Sequence, residues 1–134
     1  MVMPGGAPAM NFATVDVAED DGAIWAINEG MRLKLPAGIA ARLRGYVGEQ
    51  VMLGIRPEDL RVASSDDPAE LCFGAILEVV EKLGPQILLN ATVGSGMMVA
   101  AVPPNVRAEA HQQVRLVLNP ERLHFFDGSS GSAI

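Results

Sequence analysis

Apolar and polar positions alternate along most of this chain, and the alternation is broken roughly every eight to twelve residues by Gly, Pro, Asn or Asp, the spacing of short strands joined by turns. Phe12 to Val17 alternates, and Glu19-Asp20-Asp21-Gly22 turns with the Asp-Gly pair that favours hairpins. Ala23 to Asn28 resumes the run, Glu29-Gly30 turns again, and Met31 to Leu35 alternates until Pro36 stops it. Gln50 to Ile55 is the next strand. It ends before Pro57, which cannot donate to a ladder and suits the first turn of a short helix. Leu71 to Val80 is a longer run in which Val79 and Val80 adjoin, the mark of a bulge or of burial on both faces. Gln86 to Val93, Met97 to Val102, Val114 to Leu118 and Leu123 to Phe126 complete about ten strands, with turns at Gly84-Pro85, Gly94-Ser95-Gly96 and Pro103-Pro104. Only Ala37 to Gly45 has helical spacing: Ile39 and Leu43 lie one turn apart, and Gly45 ends the segment.

The pattern occurs twice. Val51-Met52-Leu53-Gly54-Ile55-Arg56-Pro57-Glu58-Asp59-Leu60-Arg61-Val62 reappears as Val114-Arg115-Leu116-Val117-Leu118-Asn119-Pro120-Glu121-Arg122-Leu123-His124-Phe125. Asp16-Val17-Ala18-Glu19 with Gly22 echoes Glu78-Val79-Val80-Glu81 with Gly84, Ile24 echoes Ile87, and Pro36 echoes Pro103. Val106 to Gln113 takes the place of the first half's short helix, as helix or loop. The expected fold is all-β: two pseudo-repeated, five-stranded barrels of the oligomer-binding (OB) type with one or two short helices. Residues 1–10 read as a Gly/Pro-rich linker or residual interdomain segment, 11–65 as the first repeat, 66–127 as the second and 128–134 as a flexible tail. The polar stretch Ser64-Ser65-Asp66-Asp67-Pro68 marks the seam. A half of about 60 residues is marginal alone, so the repeats are expected to share one core as one cooperative unit, and sharing strands would remove exposed edges.

Composition narrows the function. Ten basic residues stand against 16 acidic ones, for a net charge of −6, with one Trp, one Tyr and four Phe. That is neither the basic footprint nor the stacking surface of a nucleic-acid binder. The single cysteine, Cys72, lies in an apolar run and reads as a small buried hydrophobe in a reducing compartment. No apolar run approaches the length of a membrane span. His111 and His124 are too far from each other and from Cys72 to read as a metal motif. No phosphate-binding loop or nucleophile elbow occurs. The carboxylates Asp16, Glu19, Glu78 and Glu81 fall at repeated positions, which points to solvated faces. No catalytic, metal or cofactor-binding residue is therefore assigned. The polar residue that stands out is Arg56, which ends an apolar strand next to Pro57-Glu58. A guanidinium buried there would need a carboxylate or carbonyls at fixed geometry, and would lock the corner. The second corner carries Asn119 before Pro120-Glu121, the arrangement of a helix N-cap.

Gly54-Ile55-Arg56-Pro57-Glu58-Asp59-Leu60 resembles the Gly-Ile-Arg-Pro-Glu-His-Leu signature of the C-terminal regulatory domain of sugar-type ABC importer ATPases, the maltose and glycerol-3-phosphate class. Asp59 stands where that signature has His. Pro8-Ala9-Met10-Asn11-Phe12 resembles the family's segment where the nucleotide-binding domain hands over. Val80-Glu81-Lys82-Leu83-Gly84 resembles its Val-Glu-x-Leu-Gly turn, and Leu123-His124-Phe125-Phe126-Asp127 with Gly131 its closing strand and tail. The resemblance implies a TOBE fold similar to molybdate-binding MOP modules. It implies a non-catalytic regulatory and dimerisation role in the cytoplasm, peripheral to the inner membrane. The implied partners are a second copy, the parent ATPase domain, permease subunits and a cytoplasmic regulator. The family-motif positions are Asn11, Phe12, Gly54, Arg56, Pro57, Glu58, Asn119, Pro120, Glu121, Phe126 and Asp127. The alternative is a small-oxyanion-binding module of the MOP type, although the Ser-Ala-Arg-Asn type motif of those modules does not occur.

Overall fold

The computed structural model describes residues 9–134, so the expected linker lies almost entirely outside the described residues. Ten strands form: β1 (Asn11–Asp20), β2 (Ala23–Ile27), β3 (Arg32–Lys34), β4 (Gln50–Ile55), β5 (Leu60–Val62), β6 (Cys72–Lys82), β7 (Ile87–Val93), β8 (Gly96–Val102), β9 (Gln113–Leu118) and β10 (His124–Asp127). One helix, α1 (Ala37–Leu43), buries Ile39, Ala40 and Leu43 and packs on β2. The strands make two curled five-stranded sheets, in the orders β10-β4-β1-β2-β3 and β5-β9-β6-β7-β8.

The two orders are the same order shifted by five strands, so the duplication seen in the sequence is a duplication of topology. Each sheet nevertheless takes its edge strand from the other half. Leu60, Arg61 and Val62 pair with Leu118, Val117 and Leu116 of β9. His124 to Asp127 pair with Gly54 to Val51 of β4. The Pro-Glu turns cause the exchange. Pro57 and Pro120 end β4 and β9, each opens a short 3-10 turn, and the chain leaves for the opposite sheet. A single cluster of buried side chains runs through both halves, including Leu33, Leu43, Leu53, Leu77, Leu89 and Leu116.

Local chemistry accounts for the departures from symmetry. Asp21 and Gly22 both have positive φ, so β1 and β2 close in a two-residue hairpin. The β6–β7 ladder instead shifts register between Leu77 and Val79, a bulge at Glu78. This revises one equivalence read from the sequence. Val17 corresponds to Leu77, both buried and paired with Ala26 and Ala91, whereas Val79 is 49% exposed. The counterpart of α1, residues 106–112, is an irregular loop in which His111 takes φ 70° and its N–H donates to Leu77 O. At the seam, Asp67 accepts from Arg61 and from Ser64 N–H. Those bonds, the Arg61 bond foremost, hold its carboxyl far below the usual carboxylate range.

Residues 128–134, expected to be a flexible tail, fold back. Asp127 N donates to Ser132 O, Ile134 N to Phe125 O, and Arg42 Nη1 to Ile134 O.

The halves also meet backbone to backbone at the β2–β3 and β7–β8 turns. A Cβ on Gly30 would lie 2.5 Å from Gly94 N, and one on Gly94 would lie 2.6 Å from Gly30 N. Gly94 also has φ +60°. Gly94→Ala therefore meets backbone that cannot yield, and is expected to cost about 1–3 kcal/mol in urea unfolding. Gly38→Ala, in open space on the surface of α1, is expected to be neutral or stabilising.

Candidate functional site: the outer face of the first sheet

The residues singled out in the sequence gather in two places. Asn11, Phe12, Gly54, Phe126 and Asp127 lie where β1, β4 and β10 run side by side. The two Pro-Glu corners lie beyond the ends of β4 and β9.

Asn11 is the one polar residue among the buried side chains of the described residues, at 4% exposure. Its Nδ2 donates to Ile55 O at 3.1 Å and Val99 O at 2.9 Å, and its Oδ1 accepts from Val99 N–H at 2.8 Å. The amide thus imitates a strand residue. It satisfies both main-chain groups of Val99 on β8, the edge of the second sheet, while its own backbone belongs to the first sheet. The second half has no such residue: the stretch that opens β6 reads Cys72-Phe73-Gly74.

Directly after it, Phe12 turns outward and is 56% exposed. It pairs across with Gly54, which pairs on its other side with His124. Two residues along, Thr14, Met52 and Phe126 form the next row on the same face. Phe12 and Phe126 meet edge to face, with ring centroids 6.0 Å apart. Gly54 makes room for them. A Cβ there would lie 2.5 Å from the Met10 sulfur and 3.0 Å from the Phe126 ring.

Phe12 forms a ridge between two hollows. One, of about 620 Å³, is lined by Met52, Phe126 and the 127–131 turn. The other, of about 460 Å³, is lined by Thr14, Asp16, Asn28, Ser95 and Met97, the last 61% exposed. Asp127 shapes the first. Its Oδ1 accepts from Ser129 N–H and Ser130 N–H, and its Oδ2 from the Tyr46 hydroxyl at 3.1 Å. These donors, Ser130 first, hold the Asp127 carboxyl below the usual range, and the same bond pushes the Tyr46 hydroxyl up.

At the corners, Pro57 is buried, but Arg56 is exposed and reaches no carboxylate. Its Nη1 lies 3.3 Å from His124 Nε2. Asn119 Oδ1 accepts from Glu121 N–H at 3.0 Å, and Asn119 N donates to Asp59 O, so the two corners are hydrogen-bonded to each other. Glu58 and Glu121 are exposed. Cys72 is buried, with its thiol 3.3 Å from Pro68 O. Among the described residues, no three His, Cys, Asp or Glu side chains come together in a metal-binding group.

Sequence reasoning missed Met10, Met52, Tyr46 and Met97 at this face. The available signal was the alternation itself. Phe12 and Met52 fall on the polar phase of their strands, out of step with the buried Val15, Val17, Leu53 and Ile55.

Comparison with known proteins places this arrangement. Residues 6–60 match the MalK OB fold domain, and residues 53–126 match the TOBE domain. The chain belongs to the TOBE domain family. Neither matched domain is an ATPase domain. The trehalose/maltose import ATP-binding protein MalK of Thermococcus litoralis is 35% identical, over 96% of this chain and 35% of its own length. The sn-glycerol-3-phosphate import ATP-binding protein UgpC of Paracoccus denitrificans is 37% identical, over 96% of this chain and 33% of its own. The sulfoquinovosyl glycerol transport ATP-binding protein SmoE of Agrobacterium fabrum is 33% identical, over 96% and 34%. The chain spans about a third of the length of these curated relatives. Among solved structures, the cytoplasmic molybdate-binding protein ModG superimposes with a TM-score of 0.61, over 92% of this chain and 98% of that one. At 13% identity, this shows that the TOBE domain and ModG share a fold.

Removing the Asn11 amide leaves three buried main-chain groups without their partner. Asn11→Ala is expected to cost more than about 2 kcal/mol in urea unfolding, and to speed amide exchange at Val99 ahead of its neighbours. Asp127 yields a pH dependence. Its folded pKa lies below the unfolded value of about 3.9, so its stabilisation is full well above that value and fades as pH falls through it. Asp127→Asn should therefore melt below wild type at pH 7, with the difference shrinking as pH falls below about 4 towards the lowered folded value.

Proposed function

We propose that this TOBE domain is the non-catalytic regulatory and dimerisation part of an ABC importer ATPase that drives uptake of sugars or glycerol phosphates. The observation that carries the reading is the match to importer ATP-binding proteins across 96% of the chain, within OB and TOBE domains. On this reading the domain works in the cytoplasm, peripheral to the inner membrane. Its partners are its own ATPase domain, the permease subunits, a second copy of itself and a cytoplasmic regulator. No helix among the described residues is long and apolar enough to cross a membrane.

The proposed mechanism is mechanical. Domains that associate about a two-fold axis keep two tethered motors at high local concentration while the motors open and close. A regulator that binds the open and closed arrangements unequally shifts their populations by the difference in its affinities. The alternative of a small-oxyanion module draws on the shared fold of ModG alone and is set aside.

Sedimentation velocity of the full chain from about ten to several hundred micromolar tests the dimerisation part. The weight-average coefficient is expected to rise with concentration towards that of a dimer, in the range of a weak interface. A coefficient that stays at the monomer value throughout rejects it.

A further inference from the structure

We infer that the free edge of β6, from Val79 to Leu83, is a docking site for an extended segment of a partner protein that carries a basic residue between two apolar ones at alternate positions. The inference stands on the second sheet alone and needs neither the importer reading nor the dimerisation reading.

The free edge follows from the ladder. Leu83 N donates to Gln86 O where β6 turns into β7. Bonded and unbonded pairs alternate in an antiparallel ladder. The pairs Glu81–Leu88 and Val79–Asn90 are then the bonded ones, and the N–H and C=O groups of Val80 and Lys82 point away from β7. β9 does not reach them. It pairs with β6 from Cys72 to Ile76, and the chain just before it bonds Leu77 through Gln112 O and His111 N–H. Among the described residues, no main-chain group of another segment bonds the main chain of Val80 or Lys82. In the first half Val17 has the same two bonds as Leu77, here with Glu49 O and Gly48 N–H. The edge beyond Val17 is guarded, because Arg44, just past α1, pairs with Glu19 at 3.1 Å. The second half has an irregular loop in place of that helix and no such guard.

The side chains along the edge specify what fits. Ile76, Val79 and Leu83 are 41%, 49% and 39% exposed, and they are half of the exposed large apolar residues among those described. The pleat sets Val79, Glu81 and Leu83 on the outer face, and Val80 and Lys82 on the other. Glu81 accepts from Asn90 Nδ2 at 3.3 Å, a neutral donor, and takes part in none of the ion pairs among the described residues. The outer row thus reads apolar, acidic, apolar. A strand laid beside it is matched when its own row reads apolar, basic, apolar. The row also rejects a second copy. Two β6 edges paired antiparallel through Val80 and Lys82 of each would set Glu81 directly against Glu81. Lys82 adds to that guard, since a lysine on an edge discourages indiscriminate pairing. Main-chain bonds give the attachment and alternate side chains the selection, as in other strand additions to a sheet edge. With only two residues offering main-chain groups, the contact is weak and reversible.

The test is amide hydrogen exchange of the full chain, read by NMR, with the synthetic peptide acetyl-Thr-Val-Thr-Lys-Thr-Val-Thr-amide and its counterpart with Glu in place of Lys. In the free chain the amides of Val80 and Lys82 are expected to exchange much faster than those of Val79 and Glu81. The Lys peptide at about 1 mM should slow Val80 and Lys82 at least fivefold, and the Glu peptide less than twofold. In Glu81→Lys the preference between the peptides should reverse, and the same alternation of exchange rates shows that this variant is folded. Val80 and Lys82 amides as protected in the free chain as their neighbours, or unaffected by the Lys peptide, overturn the site. Equal slowing by both peptides in both proteins overturns the stated chemistry of the partner.

Discussion

Neither half of this chain can complete its own sheet. β5 and β10 are only three and four residues long, and each is hydrogen-bonded into the sheet of the other half. Everything else in the structure depends on this exchange. A half folding alone would leave β4 or β9 as an open edge, with its row of main-chain groups unpaired. Leu60 and Leu123, which head the exchanged strands, would lose the pockets that bury them. The buried cluster runs through both sheets for the same reason, and about 134 residues provide a core that about 60 would not. Asn11 and the Gly30–Gly94 approach add two further ties between the sheets. All three ties join residues distant in sequence, so they are formed late and together, in the manner of a cooperative β fold.

Duplication supplied two faces, and the side chains have made them different. On the second sheet's outer face Thr92 Oγ1 donates to Glu78 at 2.7 Å and Asn90 Nδ2 to Glu81 at 3.3 Å, so ordinary polar pairs cover the region around the bulge. Nearer the start of β1, the first sheet carries Phe12, Met52 and Phe126 on either side of a glycine, where the second sheet has Cys72 for Phe12 and Arg115 for Met52. Gly54 has Val117 as its counterpart, and Asn11 has none. Asn11 and Phe12 show the division within a single dipeptide. One side chain is turned inward to tie the sheets, and the next, by the alternation of a strand, is turned outward onto the face.

The fold was legible because its determinants are local. Alternation, turn residues and proline stops placed nine of the ten strands but ended β1 short of Asp20 and passed over β5, the short strand that follows the Pro57 corner. The repeated Pro-Glu corner announced the duplicated topology. The shifted equivalence at Glu78 escaped because a bulge changes pairing without changing composition: Val79-Val80 looks like Val17-Ala18 until the ladder is drawn. The second helix failed to form because Val106 and Ala110, though spaced like Ile39 and Leu43, offer a small, exposed Ala110 where α1 buries Leu43. Arg56 looked like a corner lock because it follows a buried strand. The side chain of a residue just past a strand end can leave the core, however, and the buried Pro57 takes its place there. The candidate face was half legible. Phe12, Gly54 and Phe126 could be named from their motifs. Met10 and Met52 come beside Phe12 and Phe126 only through pairings across strands, and Met97 only where β8 of the other sheet lies near β1, which no single stretch of sequence displays.

A domain proposed to couple two motors must transmit rotation without absorbing it. Soft joints would dissipate the motion, and a protein hinge is ordinarily a short loop that changes φ/ψ while few contacts cross it. The two sheets here are joined by no such loop. The chain passes between the sheets at the two Pro-Glu turns, residues 56–59 and 119–123, and each turn leads into a strand hydrogen-bonded to the opposite sheet, so bending between the sheets would break ladders in both. The connection at residues 63–71 joins two strands of the second sheet and is closed by Asp67 on Arg61 and Ser64. Rigidity is therefore a consequence of topology more than of any single strong interaction. On the proposed function, it fixes the orientation of every face that the domain presents to a partner by the whole of the fold.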